Sequence, residues 1–134
     1  MVFVIDASLT MAWCFEDEST MKTDAVLDRL ESDEAVVPYL WELEVVNVLI
    51  VAERRRRVTE AQSSRFLDLL GRLPIRVDES PPAPPALLAA ARRHELSSYD
   101  ASYLVLAERL DAPLATLDGG LSKACRTAGV PLLV

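Results

Sequence analysis

The chain has 134 residues, 51% of them hydrophobic and 26% charged, which suits one domain with a full core and excludes a disordered chain. No stretch approaches the roughly 20 apolar residues needed to cross a bilayer, and the first apolar run reaches an acid with no basic residue ahead of it, so a cytoplasmic location is expected. The formal net charge of −7 argues against a broad basic surface for nucleic acid, although acids converging on one site can hold a cation that in turn holds a phosphate. Cys14 and Cys125 lack CxxC spacing and nearby histidines, so both read as reduced, buried, small hydrophobes.

The first run, Val2-Phe3-Val4-Ile5, is too short for a helix and reads as a strand buried on both faces that delivers Asp6 to its carboxyl end. In open α/β sheets that edge is where ligands bind. Ser8 can cap a short helix through Phe15, and Glu16, Asp17 and Glu18 read as a solvated turn. A second helix is predicted from Thr20 to about Leu30. The run Ala35-Val36-Val37 is a second buried strand, ended by Pro38. From Leu40 to about Arg56 comes the longest helix, apolar around nearly its whole circumference, which implies burial on two sides, one of them a candidate subunit interface. The basic run Arg54, Arg55, Arg56 and Arg57 closes it and complements the dipole. It is also a candidate track for RNA or a protein partner.

Thr59 is placed to cap a helix through about Leu70, and Ile75-Arg76-Val77 reads as a third strand. The prolines of Ser80 to Pro85 suit a stiff loop entering a helix that runs from Ala86 to His94. Ser97 or Ser98 caps the next helix, with Asp100 in its first turn. Pro113 to Leu117 is a fourth strand delivering Asp118, Gly119-Gly120 opens a last helix through about Ala128, and Val130 to Val134 is a fifth strand. Strands alternating with helices call for right-handed crossovers, hence an α/β fold with a mainly parallel sheet of about five strands between two layers of helices, in a single domain over residues 1–134.

On that topology Asp6 and Asp118 sit at strand ends, Glu44 lies about a turn and a half beyond the second strand, and Asp100 enters at a helix start pointing the same way. Four acids from distant parts of the chain can therefore meet at one sheet edge. Like charges repel at a cost of several kcal/mol in low dielectric unless protons or a cation compensate. A set of oxygen donors without His or Cys selects Mg²⁺, or Mn²⁺ in its place, and such a cation can activate water against a phosphodiester. Asn47, one turn after Glu44, and the hydroxyls of Ser8 and Thr116 are placed to orient the carboxylates or the water. Taken singly, Asp6, Asp100 and Asp118 also read as helix-start residues. Trp13, Trp41 and Tyr99 are candidates to stack on bases, the tryptophans suiting the core or a partner groove better. His94, the only histidine, is read as surface.

The segments Val4-Ile5-Asp6-Ala7-Ser8, Trp41 to Leu49, Leu96 to Ala101 and Leu114 to Asp118 together resemble the PIN-domain ribonucleases, most closely the VapC toxins of type II toxin–antitoxin modules. The resemblance implies a Mg²⁺-dependent endoribonuclease, usually a homodimer, acting on RNA and neutralised by a VapB-type antitoxin. It also implies that Asp6, Glu44, Asp100 and Asp118 form the catalytic, metal-holding quartet. Many relatives carry a further acid just after the fourth; here Gly119, Gly120 and Leu121 follow, which puts a second tightly held metal in doubt. Competing readings fare less well. A haloacid-dehalogenase-type phosphotransferase needs an Asp where Ser8 stands, and a phospho-receiver domain needs an acidic neighbour that Asp6 lacks. A catalytically silent PIN-like module that binds RNA or a protein partner is the remaining rival.

Overall fold

The computed structural model describes residues 1–134. Its strands are β1 (Val2–Ile5), β2 (Glu34–Val37), β3 (Ile75–Val77) and β4 (Leu114–Ala115), all parallel and ordered β3-β2-β1-β4. Around them lie α1 (Ala7–Ala12), α2 (Met21–Arg29), α3 (Leu40–Arg54), α4 (Glu60–Gly71), α5 (Pro84–His94), α6 (Ser98–Leu110) and α7 (Gly119–Ala128), with a 3₁₀ turn at Glu16–Glu18. The chain steps outward from β1 through β2 to β3, then returns to β4 on the far side of β1. Right-handed crossovers run in opposite directions therefore put helices on both faces. The reversal falls between β1 and β4, and there the two connections leave the sheet in opposite directions and open a crevice.

Apolar runs that bury both faces account for the sheet. Phe3, Val4, Ile5, Ala35, Val36, Val37, Leu114 and Ala115 are all fully buried, within one core cluster of 28 residues. The helix starts have local causes. Thr20 and Thr59 each close a capping box, with Thr23 and Gln62 respectively, and Pro84 stands at the start of α5, where a missing N–H costs nothing.

Three expectations about boundaries need correction. Asp6, not Ser8, caps α1: its Oδ1 accepts from Leu9 N at 2.9 Å, and the helix ends at Ala12. The fourth strand covers only Leu114–Ala115. Beyond it, Leu117 N donates to Ser8 Oγ and Asp118 N to Thr116 Oγ1, both at 3.0 Å, so side-chain hydroxyls take the amides that a longer ladder would use. The sheet consequently has four strands and not five. With β4 so short, the terminal segment pairs through a single parallel bridge, Leu114 to Leu132.

Helix α3 is apolar all round yet only half covered. Trp41, Val45, Leu49 and Ala52 face the core, whereas Leu43, Val46 and Ile50 stay exposed, Leu43 by 60%. Leu67 and Leu69 of α4 are exposed as well, and an apolar groove of about 310 Å³ runs between α3, α4 and β3. No helix is long and apolar enough to cross a membrane.

Candidate active site

Each of the four expected acids is carried by a different element. Asp6 leaves β1 at its carboxyl end and caps α1. Glu44 sits in the second turn of α3, and Asp100 in the first turn of α6 behind its Ser97 cap. Asp118 caps α7 through Oδ2, which accepts from Leu121 N at 2.8 Å. All four line one cavity of about 540 Å³ at the carboxyl edge of the sheet, together with Ser8, Asn47, Tyr103 and a rim of Met11, Phe15, Glu18, Val48, Arg57 and Leu117.

The carboxylates differ in how they are held. Asp6 is only 4% exposed and almost saturated with donors: Ser8 Oγ reaches its two oxygens at 2.7 and 2.9 Å, and Thr116 Oγ1 donates to Oδ2. Thr116 Oγ1 also accepts from Asp118 N, so one hydroxyl couples the first and fourth acids. Glu44 Oε1 accepts from the Tyr103 hydroxyl at 2.6 Å. Glu44 Oε2 and Asp118 Oδ1 accept no hydrogen bond from the chain.

Burial pushes the Asp6 carboxyl up from its ordinary value against the pull of Thr116, Leu9 N and Ser8, and Asp100 adds to the rise. Glu44 is raised by burial first, with Asp100 and Asp6 adding to it, and Asp100 by burial and then by Asp118. The anions thus destabilise one another in a half-dry site without a lysine or histidine among them. No three of them are posed as a closed cage around one ion. Their chemistry still fits Mg²⁺, which keeps several of its waters and takes one or two carboxylates rather than a full protein shell.

Tyr103 was not among the expected site residues. On sequence it belongs to the apolar stripe of α6, and at 1% exposure it is a core residue, yet its hydroxyl ends in the cavity. Its position three residues after Asp100, on the same helical face, is the signal that could have found it. Burial and the Glu44 carboxylate hold its phenol far above the usual range, so it stays a donor.

Other expected residues lie elsewhere. Trp41 Nε1 donates to Thr10 Oγ1 at 3.0 Å, which commits that indole to the interior, whereas Trp13 Nε1 donates to Thr23 O at 2.9 Å from a half-buried position outside the acidic cavity. Tyr99 stays exposed beside Asp100. Cys125 is buried, with its thiol pushed up to about 11, but Cys14 is only half-buried. His94 ends α5 and does not line the cavity. Of the four arginines only Arg57 reaches it; Arg54, Arg55 and Arg56 are exposed outside it.

The model of the PIN domain matches residues 3–127. The chain belongs to the PIN-domain family. Over 89 residues it is 36% identical to the ribonuclease VapC1 of two strains of Mycobacterium tuberculosis. That stretch is 65% of this chain and 65% of the relative, so the chain spans just under two thirds of the length of the curated relatives it matches. The PIN fold is shared with PAE2754 from Pyrobaculum aerophilum at a TM-score of 0.76 and 24% identity, over 99% of this chain and 90% of that one. VapBC2 from Rickettsia felis, solved bound to a DNA fragment from its promoter, matches at 0.66 and 13% identity over 98% and 97%. FitAcB from Neisseria gonorrhoeae matches at 0.61 and 16% over 98% and 96%. The match to the PIN-domain family therefore extends over nearly the whole chain, and the shared fold over all but a few of its residues.

Proposed function

We propose that this PIN domain is a divalent-metal-dependent endoribonuclease of the VapC type, acting as one catalytic domain in the cytoplasm. The observation that carries this reading is the meeting of Asp6, Glu44, Asp100 and Asp118 in one cavity at the switch point of the sheet, with no lysine or histidine beside them and the cavity's one arginine, Arg57, paired with Asp17 and Glu18 instead. Mg²⁺, or Mn²⁺ in its place, would be held by these carboxylates and would supply Lewis-acid polarisation of the phosphodiester and a lowered pKa for water. Ser8, Thr116 and Leu9 N fix the Asp6 carboxylate, so it contributes a rigid, pre-oriented charge. Tyr103 orients Glu44 by one oxygen and leaves Oε2 free to take a proton. Asn47 brings an amide to the same wall.

The exposed apolar faces of α3 and α4 support two further parts of the reading, a second copy of the chain and a VapB-type antitoxin as partners. A silent binding module gains some support from the lack of a closed metal cage. A hydrated ion explains that openness equally well. The test is cleavage of structured RNAs with Mg²⁺, with Mn²⁺ and with chelator, comparing wild type and Asp6→Asn. Cleavage that needs the metal and is lost in the variant is expected; cleavage in chelator, or by the variant at the wild-type rate, overturns the proposal.

A further inference from the structure

A single-stranded polyanion entering the cavity meets five carboxylates, those of Asp6, Glu18, Glu44, Asp100 and Asp118, and one basic side chain, Arg57. The backbone is what separates this arginine from the three before it. Helix α3 closes with Arg56 in a left-handed conformation at φ 57°, and Arg57 N donates back to Ala52 O at 2.8 Å. This reversal turns residue 57 off the helix end and toward the site.

The guanidinium is then fixed from two sides. It lies 3.8 Å over the Phe15 ring. Its Nη2 donates to Asp17 at 2.8 and 3.0 Å and to Glu18 at 2.8 Å. All of these contacts use Nη2, so the donors on Nε and Nη1 have no partner in the chain. The anchor takes Nη2, and with it both of the guanidinium's two-pronged faces, so the free Nε–H and Nη1–H each offer a single charged hydrogen bond to a phosphate oxygen, from a plane that the Phe15 ring and the anchor hold in place.

We infer that Arg57 is a substrate-binding residue that holds a backbone phosphate of the RNA next to the one being cleaved, with Phe15, Asp17 and Glu18 as its fixed mount. This rests on the ribonuclease reading above. A cation held by the four carboxylates would meet the charge at the reacting phosphate, and Arg57 supplies the positive group that the neighbouring phosphate needs in an otherwise acidic cleft. Because the mount carries more negative charge than the arginine carries positive, the inference depends on local donor geometry and not on net field.

The test is fluorescence anisotropy of a labelled single-stranded oligouridylate of ~12 nucleotides, with Ca²⁺ in place of Mg²⁺ to hold turnover down, over a salt series. Arg57→Ala is expected to weaken binding about tenfold, the scale of a charged hydrogen bond. It should also flatten the plot of log affinity against log salt by about 0.7, the share of one single-strand phosphate. Arg57→Lys keeps the charge, so the slope should stay while affinity falls part-way. A double variant, Asp17→Asn with Glu18→Gln, removes the mount's charge but leaves the arginine, and should bind RNA at least as well as wild type. If Arg57 were only a strut tying the 3₁₀ turn to α3, the double variant would lose as much as Arg57→Ala. That result, or an Arg57→Ala protein with wild-type affinity and slope, overturns the inference and leaves the ribonuclease reading standing. A wild type that binds no RNA overturns both.

Discussion

The acids of the cavity and the acids at the amino end of the parallel sheet are held in opposite ways. At the amino end Asp33 lies 2.9 Å from Arg29 Nε and 3.4 Å from the terminal amine, and Glu34 receives Arg76 Nε at 3.0 Å. At the carboxyl end Asp6, Glu44, Asp100 and Asp118 have only hydroxyl and amide donors and one another. The first arrangement is what a fold does with charge when only solubility and local order matter. The second raises the free energy of the metal-free protein, and such strain persists where a ligand relieves it.

The largest expected difference between the ends is in activity. Asp6→Asn keeps a competent helix cap but removes the central negative charge, and should lower kcat by at least ~10²–10³-fold, the scale for losing one electrostatic stabiliser in a buried site; single-turnover RNA cleavage checks it. Next, Tyr103→Phe leaves Glu44 without its only donor and should weaken metal affinity or activity by about 10–100-fold, as losses behind a ligand do. The measurement is the Mn²⁺ concentration dependence of cleavage, alongside a melting curve to show that the fold is kept.

A third expectation concerns stability and pH. Burial raises the folded carboxyls of Asp6, Glu44 and Asp100, so the folded chain binds protons more readily than the unfolded one. The metal-free protein should accordingly lose stability as pH rises from the ordinary carboxylate range through the raised one, and stay at the lower level above it. Glu44→Gln removes one such charge while its amide oxygen can still accept from Tyr103. It should raise the melting temperature of the metal-free protein at pH 7 by about 3 °C, and by less near pH 4, where the Glu44 carboxyl is largely protonated in both states. The smallest effect belongs to the other end of the sheet. Glu34→Gln breaks an exposed pair and should change stability by no more than about 0.5 kcal/mol, with cleavage unaltered.

The carboxyl-edge half of this contrast is legible in the sequence, whereas the amino-end ion pairs carry no motif that announces them. The run Val2 to Ile5 is apolar on both faces because it forms the middle of a parallel sheet, and an acid immediately after such a run has nowhere to go but the carboxyl edge. The same holds for Asp118 after the buried pair Leu114–Ala115. What was opaque came from side chains competing with the backbone. The hydroxyls of Ser8 and Thr116 capture the amides of Leu117 and Asp118, so β4 stops two residues earlier than its apolar pattern indicates, and the terminal segment is left with a single bridge. Tyr103 was hidden for the opposite reason, since a phenol whose ring packs in the core gives the same apolar period as a leucine.

The sequence also posed capping and ligation as alternatives for Asp6 and Asp118, and the structure shows capping in both. One oxygen of each carboxylate caps a helix, which fixes its rotamer and aims the residue at the cavity. Capping is therefore part of how the site is held rigid and not evidence against it.

Asp6, Glu44, Asp100 and Asp118 stand without a cationic partner, an arrangement that a bound divalent cation would relieve. Calorimetric titration of Mn²⁺ into the metal-free protein at pH 7 tests this claim most directly, run on wild type, Glu44→Gln and the amino-edge control Glu34→Gln. The expected result is binding in wild type and in the control and its loss or marked weakening in Glu44→Gln. No binding in wild type, or binding that Glu44→Gln leaves unchanged, would contradict the claim.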